Sequence, residues 1–321
     1  MADLKTFSGF PVQNLSSDST SVGQLYYNTS SGQFKAILEG GAPIGTWASS
    51  GDVNTARYRM QGGAGTQTAG LIAGGSPTTS ATEEYNGAAW ATVNAMPAAT
   101  TDFGLAGLQT AALGVAGEVG GSQVNTVLEY DGTNWTAGGV FPAAAQRVSV
   151  GGTQTAGITV GGAMPGYANS TFHYNGSSWT AGGNYPTVRA NGATAGTQTA
   201  AIAYGGYTPP ATTDSNIYNG SSWTEITSMN TARAEMGFSG SGTQTSTLAF
   251  AGSSSSPTRV DTESWNGTTW TEVANLAASR NSGGCFGSAS AAVYAAGSPP
   301  TIASTEEWTA ADIQVKTLTT S

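Results

Sequence analysis

Charge is scarce in this chain. Asp, Glu, Lys and Arg make up 9% of 321 residues, with 10 Lys+Arg against 19 Asp+Glu. A basic footprint for nucleic acid is therefore missing, and no partner of that class is expected. One cysteine, Cys285, excludes an intramolecular disulfide framework and any cysteine-built metal cluster. A lone cysteine among small strand residues reads as buried apolar filler. No run of 18 apolar residues occurs, so no membrane insertion is expected. Met1-Ala2-Asp3-Leu4-Lys5 lacks the basic and apolar regions of a signal peptide. That predicts synthesis in a cytoplasm and an exit by some route other than secretion.

What the chain does have is glycine, 46 residues of it, together with a regular aromatic beat. Five phrases share one form: Tyr85-Asn86-Gly87-Ala88-Ala89-Trp90, Tyr130 to Trp135, Tyr174 to Trp179, Tyr218 to Trp223, and Trp265 to Trp270. A sixth begins at Trp308, and successive first aromatics are 45, 44, 44, 47 and 43 residues apart. A repeat of this length is one supersecondary unit that cannot bury its own faces. Four units also carry a Gly-Thr-Gln-Thr turn, as at Gly65-Thr66-Gln67-Thr68, with Gly107-Leu108-Gln109-Thr110 and the weaker Gly287-Ser288-Ala289-Ser290 in the other two. Each has a short apolar strand ending in glycine, as at Gly74-Gly75. The Asn-Gly or Asp-Gly after the aromatic tolerates the positive φ of a tight hairpin, across which Tyr and Trp can face each other. Four antiparallel strands in each of six units, with no helical pattern between, predict an all-β, six-bladed β-propeller.

The ends predict how the first and last units meet. Trp47 sits in register as a fourth-strand Trp, 43 residues before Trp90, and Trp308 has no Trp after it. A strand at Trp47 is therefore expected to complete the sixth unit; the rival is a strand from Ile313 to Leu318. The expected domains are an arm over 1–43, the propeller over 44–310 and a tail over 311–321.

The double glycine, the third-strand aromatic, the fourth-strand Trp and the following Arg resemble the kelch repeat family over residues 45 to about 310. The chain departs from it in a shorter Tyr-to-Trp spacing, imperfect double glycines and the Gly-Thr-Gln-Thr turn. The resemblance implies a kelch-like propeller that serves as a binding platform rather than an enzyme. Pro11-Val12-Gln13-Asn14-Leu15 and Gly23-Gln24-Leu25-Tyr26-Tyr27-Asn28 through Phe34-Lys35 resemble segments near the start of tailed-bacteriophage fibre and other virion proteins. That resemblance implies a virion structural protein of tail-fibre or appendage type, released by lysis to the tail or capsid surface. Leu25, Tyr26, Tyr27 and Phe34 would then anchor it to other virion proteins. The partner of the propeller would be a host-surface glycan or envelope protein; the alternative is a capsid decoration or tail scaffold that binds only virion subunits. Several copies could join through the arm, although no heptad or triple-helical pattern demands a homo-oligomer.

Catalytic chemistry is thinly supplied, and no enzyme activity, cofactor or metal is expected. A copper oxidase of the galactose-oxidase type needs two histidines and a cysteine-linked tyrosine, whereas His173 stands alone. The pairs Glu83-Glu84 and Glu306-Glu307 are adjacent on strands, so their side chains point to opposite faces and make no natural acid/base couple. The Asn-x-Ser/Thr triplets fall mostly on hairpins and read as turn chemistry. Among candidate contacts, Arg57, Arg189, Arg233 and Arg280 lie 10 residues after a fourth-strand Trp, and Arg147 lies 12 after its own. Either each bonds carbonyls or stacks on an aromatic between units, or together they ring one mouth and bind an acidic glycan. Tyr167, Tyr207 and Pro209, in variable loops, are candidates for sugar or protein contact.

Overall fold

The computed structural model describes residues 6–7, 10–11, 13–17, 25–38, 45–254, 257–311 and 314–317. It is all-β, with no helix among the described residues. Val12, Gly23, Gln24, Ile313 and Leu318 lie outside the described residues. The contacts divide the chain into two compact units, Met1–Thr46 with Ala310–Ser321, and Trp47–Thr309.

In the smaller unit Leu25–Asn28 and Gln33–Leu38 form a hairpin. Gln13–Leu15 adds in parallel on one side and Gln314–Thr317 in antiparallel on the other. Arm and tail are thus one unit, because the tail strand finds its ladder on the arm. Tyr26 is fully buried, and Tyr27 faces Phe34 in register with ring centroids 5.0 Å apart.

The larger unit holds six four-stranded antiparallel arrays of the predicted strand order, the second extended by Met60–Gly62 in parallel with Phe103–Leu108. It also has two small hairpins, Glu118–Val119 with Ser122–Gln123 and Ala163–Met164 with Gly166–Tyr167. Sheet 1 is Ala64–Thr66, Ala69–Ala73, Thr82–Tyr85 and Trp90–Val93. Sheets 2, 3, 4 and 5 repeat it with third strands Val127–Tyr130, Thr171–Tyr174, Ser215–Tyr218 and Thr262–Trp265. Sheet 6 is Gly284–Gly287, Ala291–Ala295, Thr305–Thr309 and, as its fourth strand, Thr46–Ser50. In every complete phrase the two aromatics pair across the hairpin; Tyr85 and Trp90 are 4.8 Å apart. The Asn at the head of the turn accepts two backbone N–H bonds, as Asn86 does from Ala88 and Ala89, and Gly87 takes φ +91°. Asx chemistry and one glycine are what set the turn.

Neighbouring sheets are joined by four hydrogen-bond series, of which only the first recurs at every junction, and that first series explains the double glycine. Its second member takes φ between +91° and +116° in all six sheets and is always glycine. Its first member lies near +60°, where Ala116, Ala251 and Ala296 are accommodated. The second glycine donates to the next unit's backbone: Gly75 to Thr100, Gly117 to Ala145, Gly162 to Arg189, Gly206 to Arg233, Gly252 to Arg280, and Gly297 back to Arg57. A Cβ on Gly75 would stand 2.8 Å from the Tyr58 carbonyl.

The Gln of the Gly-x-Gln-Thr turn is the second connector. Gln109 Nε2 donates to the carbonyls of Gly70 and Tyr85 in the preceding sheet, both at 3.0 Å. Gln154, Gln198 and Gln244 repeat this, and Gln67 reaches Ala292 and Trp308 of sheet 6. A third series uses the fourth-strand Trp, whose indole N–H bonds a threonine one sheet back: Trp135 to Thr82, Trp223 to Thr171, Trp47 to Thr262, and Trp90 to Thr305. Where that threonine is replaced by Val127, Trp179 turns to the Gly139 carbonyl. In the fourth series, the third-strand Tyr donates to a Glu of the preceding sheet: Tyr130 to Glu84, Tyr174 to Glu129, and Tyr85 to Glu307. All four series are present between sheets 6 and 1, through Gly297, Gln67, Trp90 and Tyr85. The buried apolar residues accordingly lie in five clusters between neighbouring sheets, with Phe286 of sheet 6 packed on Tyr85 and Trp90 of sheet 1.

Candidate binding face

The structure separates the five arginines into two roles. Arg57, Arg189, Arg233 and Arg280 are at most 1% exposed. Arg57 pairs with Glu83 at 3.0 Å, Arg233 with Glu263 at 2.6 Å, and Arg280 with Glu306 at 3.0 Å. Arg189 donates to the Tyr204 carbonyl and lies over the Tyr185 ring at 4.6 Å. Burial lowers the guanidinium pKa of Arg57, Arg233 and Arg280 against the pull of their partners. These four occupy internal sites and offer no charge to an outside anion.

Carboxylate acceptor and N–H donor come and go together along the chain. Each buried Glu also accepts a backbone N–H, from Asn54, Asn230 or Ala277. Sheets 2 and 3 have Thr100 with Leu128 and Ala145 with Phe172 in place of Arg and Glu, and Pro97 and Pro142 in place of the N–H donor. A proline has no N–H to leave unpaired where the carboxylate is missing. Sheet 4 keeps Arg189 with the neutral Asn216, and there too the donor position is proline, Pro186.

Arg147 belongs to a different position, two residues further on, shared with Arg59, Asp102, Asn191, Glu235 and Ser282. All six take φ between +51° and +60°, a left-handed conformation that costs a non-glycine residue of order 1 kcal/mol. Their backbones make a cycle. Asp102 N–H donates to Arg59 O, Arg147 to Asp102, Asn191 to Arg147, Glu235 to Asn191, Ser282 to Glu235, and Met60 to Ser282, at 2.8 to 3.2 Å. The bonds hold the strained residues in place, and their side chains gather at one end of the six sheets.

On one side of the cycle the side chains satisfy each other. Asp102 accepts from Arg59, by a short contact from its Nη2 and at 3.0 Å from Nε, and from Arg147 Nε at 3.3 Å. Arg59 also reaches Glu118 at 3.3 Å. Gln146, its amide oriented by its neighbours, donates to Asp102 at 3.2 Å and Glu118 at 3.1 Å. The other side is loose. Asn191 Nδ2 and Ser253 Oγ reach Glu235 only at 3.4 Å each, and burial raises the Glu235 pKa above the ordinary carboxylate value despite Arg147 nearby. Asn191 is 4% exposed, and its Oδ1 has no partner.

No protein-family model and no curated protein matches this chain. The assignment of a face therefore rests on the geometry alone. The residue after each double glycine pairs with the residue before a member of the cycle: Glu118 with Thr101, Ala163 with Gln146, Tyr207 with Ala190, Ser253 with Ala234 and Ser298 with Asn281. Tyr207 is thus one backbone position from Asn191. Tyr167, on the hairpin of the neighbouring sheet, meets the Tyr207 ring edge-on at 5.9 Å and is 38% exposed. Pro209 is exposed on the Tyr207 loop. Of the sequence candidates, Arg147, Tyr167, Tyr207 and Pro209 fall at this end, whereas the four buried arginines do not form part of its surface. Sequence reading missed Arg59, Asp102, Asn191, Glu235 and Ser282. Their side chains share nothing but their distance from the fourth-strand Trp, 12 residues, which is the spacing that made Arg147 look out of register. Among the described residues no group of His, Cys, Asp and Glu could hold a metal.

Proposed function

We propose that the larger unit is a closed, six-bladed, kelch-like propeller that serves as a binding platform, and that the chain is a virion structural protein of tail-fibre or appendage type. Its ligand would be a host-surface glycan or envelope protein. The hydrogen-bond cycle from Arg59 to Ser282 and back to Met60 carries this reading. It gathers six polar residues in a strained conformation, and strain concentrates where function uses it. All four series of bonds occur between sheets 6 and 1, as they do between sheets 1 and 2, which supports ring closure. Glu83 turns to Arg57 and Glu84 to Tyr130, so those acidic residues serve as scaffold. The particle assignment draws on the arm sequence, with Tyr26, Tyr27 and Phe34 as its compact part and Leu25 on the same strand.

Labelled full-length chain should bind intact host cells and fail on cells lacking envelope polysaccharide. Retention by other virion proteins with no binding to any host cell would instead make it a decoration or scaffold subunit. Deleting residues 1–43 should abolish incorporation into particles, and normal incorporation of that truncated chain would sink the anchoring role.

A further inference from the structure

Two cationic side chains, Arg59 and Arg147, and three anionic ones, Asp102, Glu118 and Glu235, meet on the binding face. A purely anionic ligand would confront the carboxylates, and a cationic one the guanidiniums. The groups with spare capacity are of both kinds and stand on the same side. Asn191 Oδ1 is a buried acceptor without a donor, which costs about 1–3 kcal/mol until one arrives. Glu235 makes only the two long contacts, so most of its lone-pair capacity is unused. Arg147, 36% exposed, commits only Nε, leaving its terminal nitrogens to donate. A hydroxyl is the group that both donates and accepts. Tyr207 pairs with Ala190, the residue before Asn191, and has Tyr167 against it, an aromatic rim on which the C–H face of a ring can rest.

We propose that the Asn191–Glu235–Arg147 side of the cycle, with Tyr207, binds an uncharged sugar unit with adjacent free hydroxyls, a neutral hexose or deoxyhexose. Its hydroxyls donate to Asn191 Oδ1 and Glu235 and accept from Arg147, and its apolar face lies on Tyr207. This rests on the binding-face reading and narrows its ligand class. A few convergent polar groups beside an aromatic surface are the usual make-up of a small-ligand site.

The test is saturation-transfer NMR on the full chain with glucose, galactose, mannose and rhamnose, and with glucuronate and glucosamine as charged comparators. At least one neutral sugar should show transfer, with dissociation constants of order 1 mM. Asn191→Gly and Glu235→Gly remove the polar groups while suiting the positive φ of those positions, so both should fold. Each should weaken binding at least tenfold without lowering the thermal transition, and Tyr207→Ala should weaken binding likewise. Neutral-sugar binding that survives all three variants would overturn the site. Transfer only to glucuronate or glucosamine would overturn the ligand class while leaving the binding face standing. Transfer to none of the six would overturn the proposal outright, and the cell-binding experiment would then decide the wider reading by itself.

Discussion

Removing the carboxylate of Glu263 isolates one of the buried ion pairs. Both side chains of the Arg233–Glu263 pair are 0% exposed. Arg233 also donates to the carbonyls of Asp261 at 2.8 Å and Ala251 at 3.3 Å, and Glu263 accepts the N–H of Asn230 at 2.7 Å and Thr231 at 3.2 Å. Glu263→Leu strands a guanidinium in the interior and orphans two backbone donors. Breaking one side of such a pair costs about 3–5 kcal/mol. At about 2–4 °C per kcal/mol for a unit of this size, the melting temperature should fall by about 6–20 °C. The chain itself supplies the compensated version, since sheet 2 uses Pro97, Thr100 and Leu128 at these three positions. Asn230→Pro, Arg233→Thr and Glu263→Leu together remove the charge pair and one orphaned N–H, and replacing a buried pair as a whole is often close to neutral. The triple variant should therefore recover most of the loss, to within about 2 kcal/mol of the parent. Calorimetry on the parent, the single and the triple variant decides it. A triple variant as unstable as Glu263→Leu would refute the idea that donor, cation and carboxylate form one exchangeable set.

Other consequences are smaller. Gln154→Ala takes a donor from the carbonyls of Ala112 and Tyr130 and should cost about 1–2 kcal/mol, read as a lower denaturation midpoint. Burial raises the Glu235 pKa in the folded state, so its contribution to stability is fully present below the ordinary carboxylate pKa and is lost as pH rises through the raised value. Glu235→Gln should therefore stabilise the chain at pH 7 and lose that advantage on acidification, seen in melting temperatures across pH. Burial pushes the Cys285 thiol up to about 12, so a thiol reagent at pH 8 should react only as fast as the chain unfolds. Rapid labelling of native protein would contradict its buried placement.

Strand order and the pairing of Tyr with Trp were legible because they depend on local chemistry, an Asn-Gly turn between two aromatics at a fixed period. Trp47 could be placed in the sixth sheet for the same reason, by register. The arm and tail read as separate segments, since nothing in Gln314–Thr317 names Gln33–Leu38 as its partner; strand pairing at that distance leaves no periodic trace. The candidate site was largely hidden for a different reason. What unites Arg59, Asp102, Arg147, Asn191, Glu235 and Ser282 is a backbone conformation held by bonds from neighbouring sheets, and six different demands on the side chains follow from it. The buried arginines were visible as a pattern, but their partners are 26 to 30 residues away in the third strand, in a position that changes with them.

Hydrogen exchange at the junction of sheets 6 and 1 tests closure of the ring most directly. The amides of Gly297 and Met60, which bond Arg57 and Ser282, should be as strongly protected as those of Gly162 and Gly206 at internal junctions. Exchange at Gly297 and Met60 orders of magnitude faster, with Gly162 and Gly206 protected, would mean an open arc of sheets and would contradict the closed propeller.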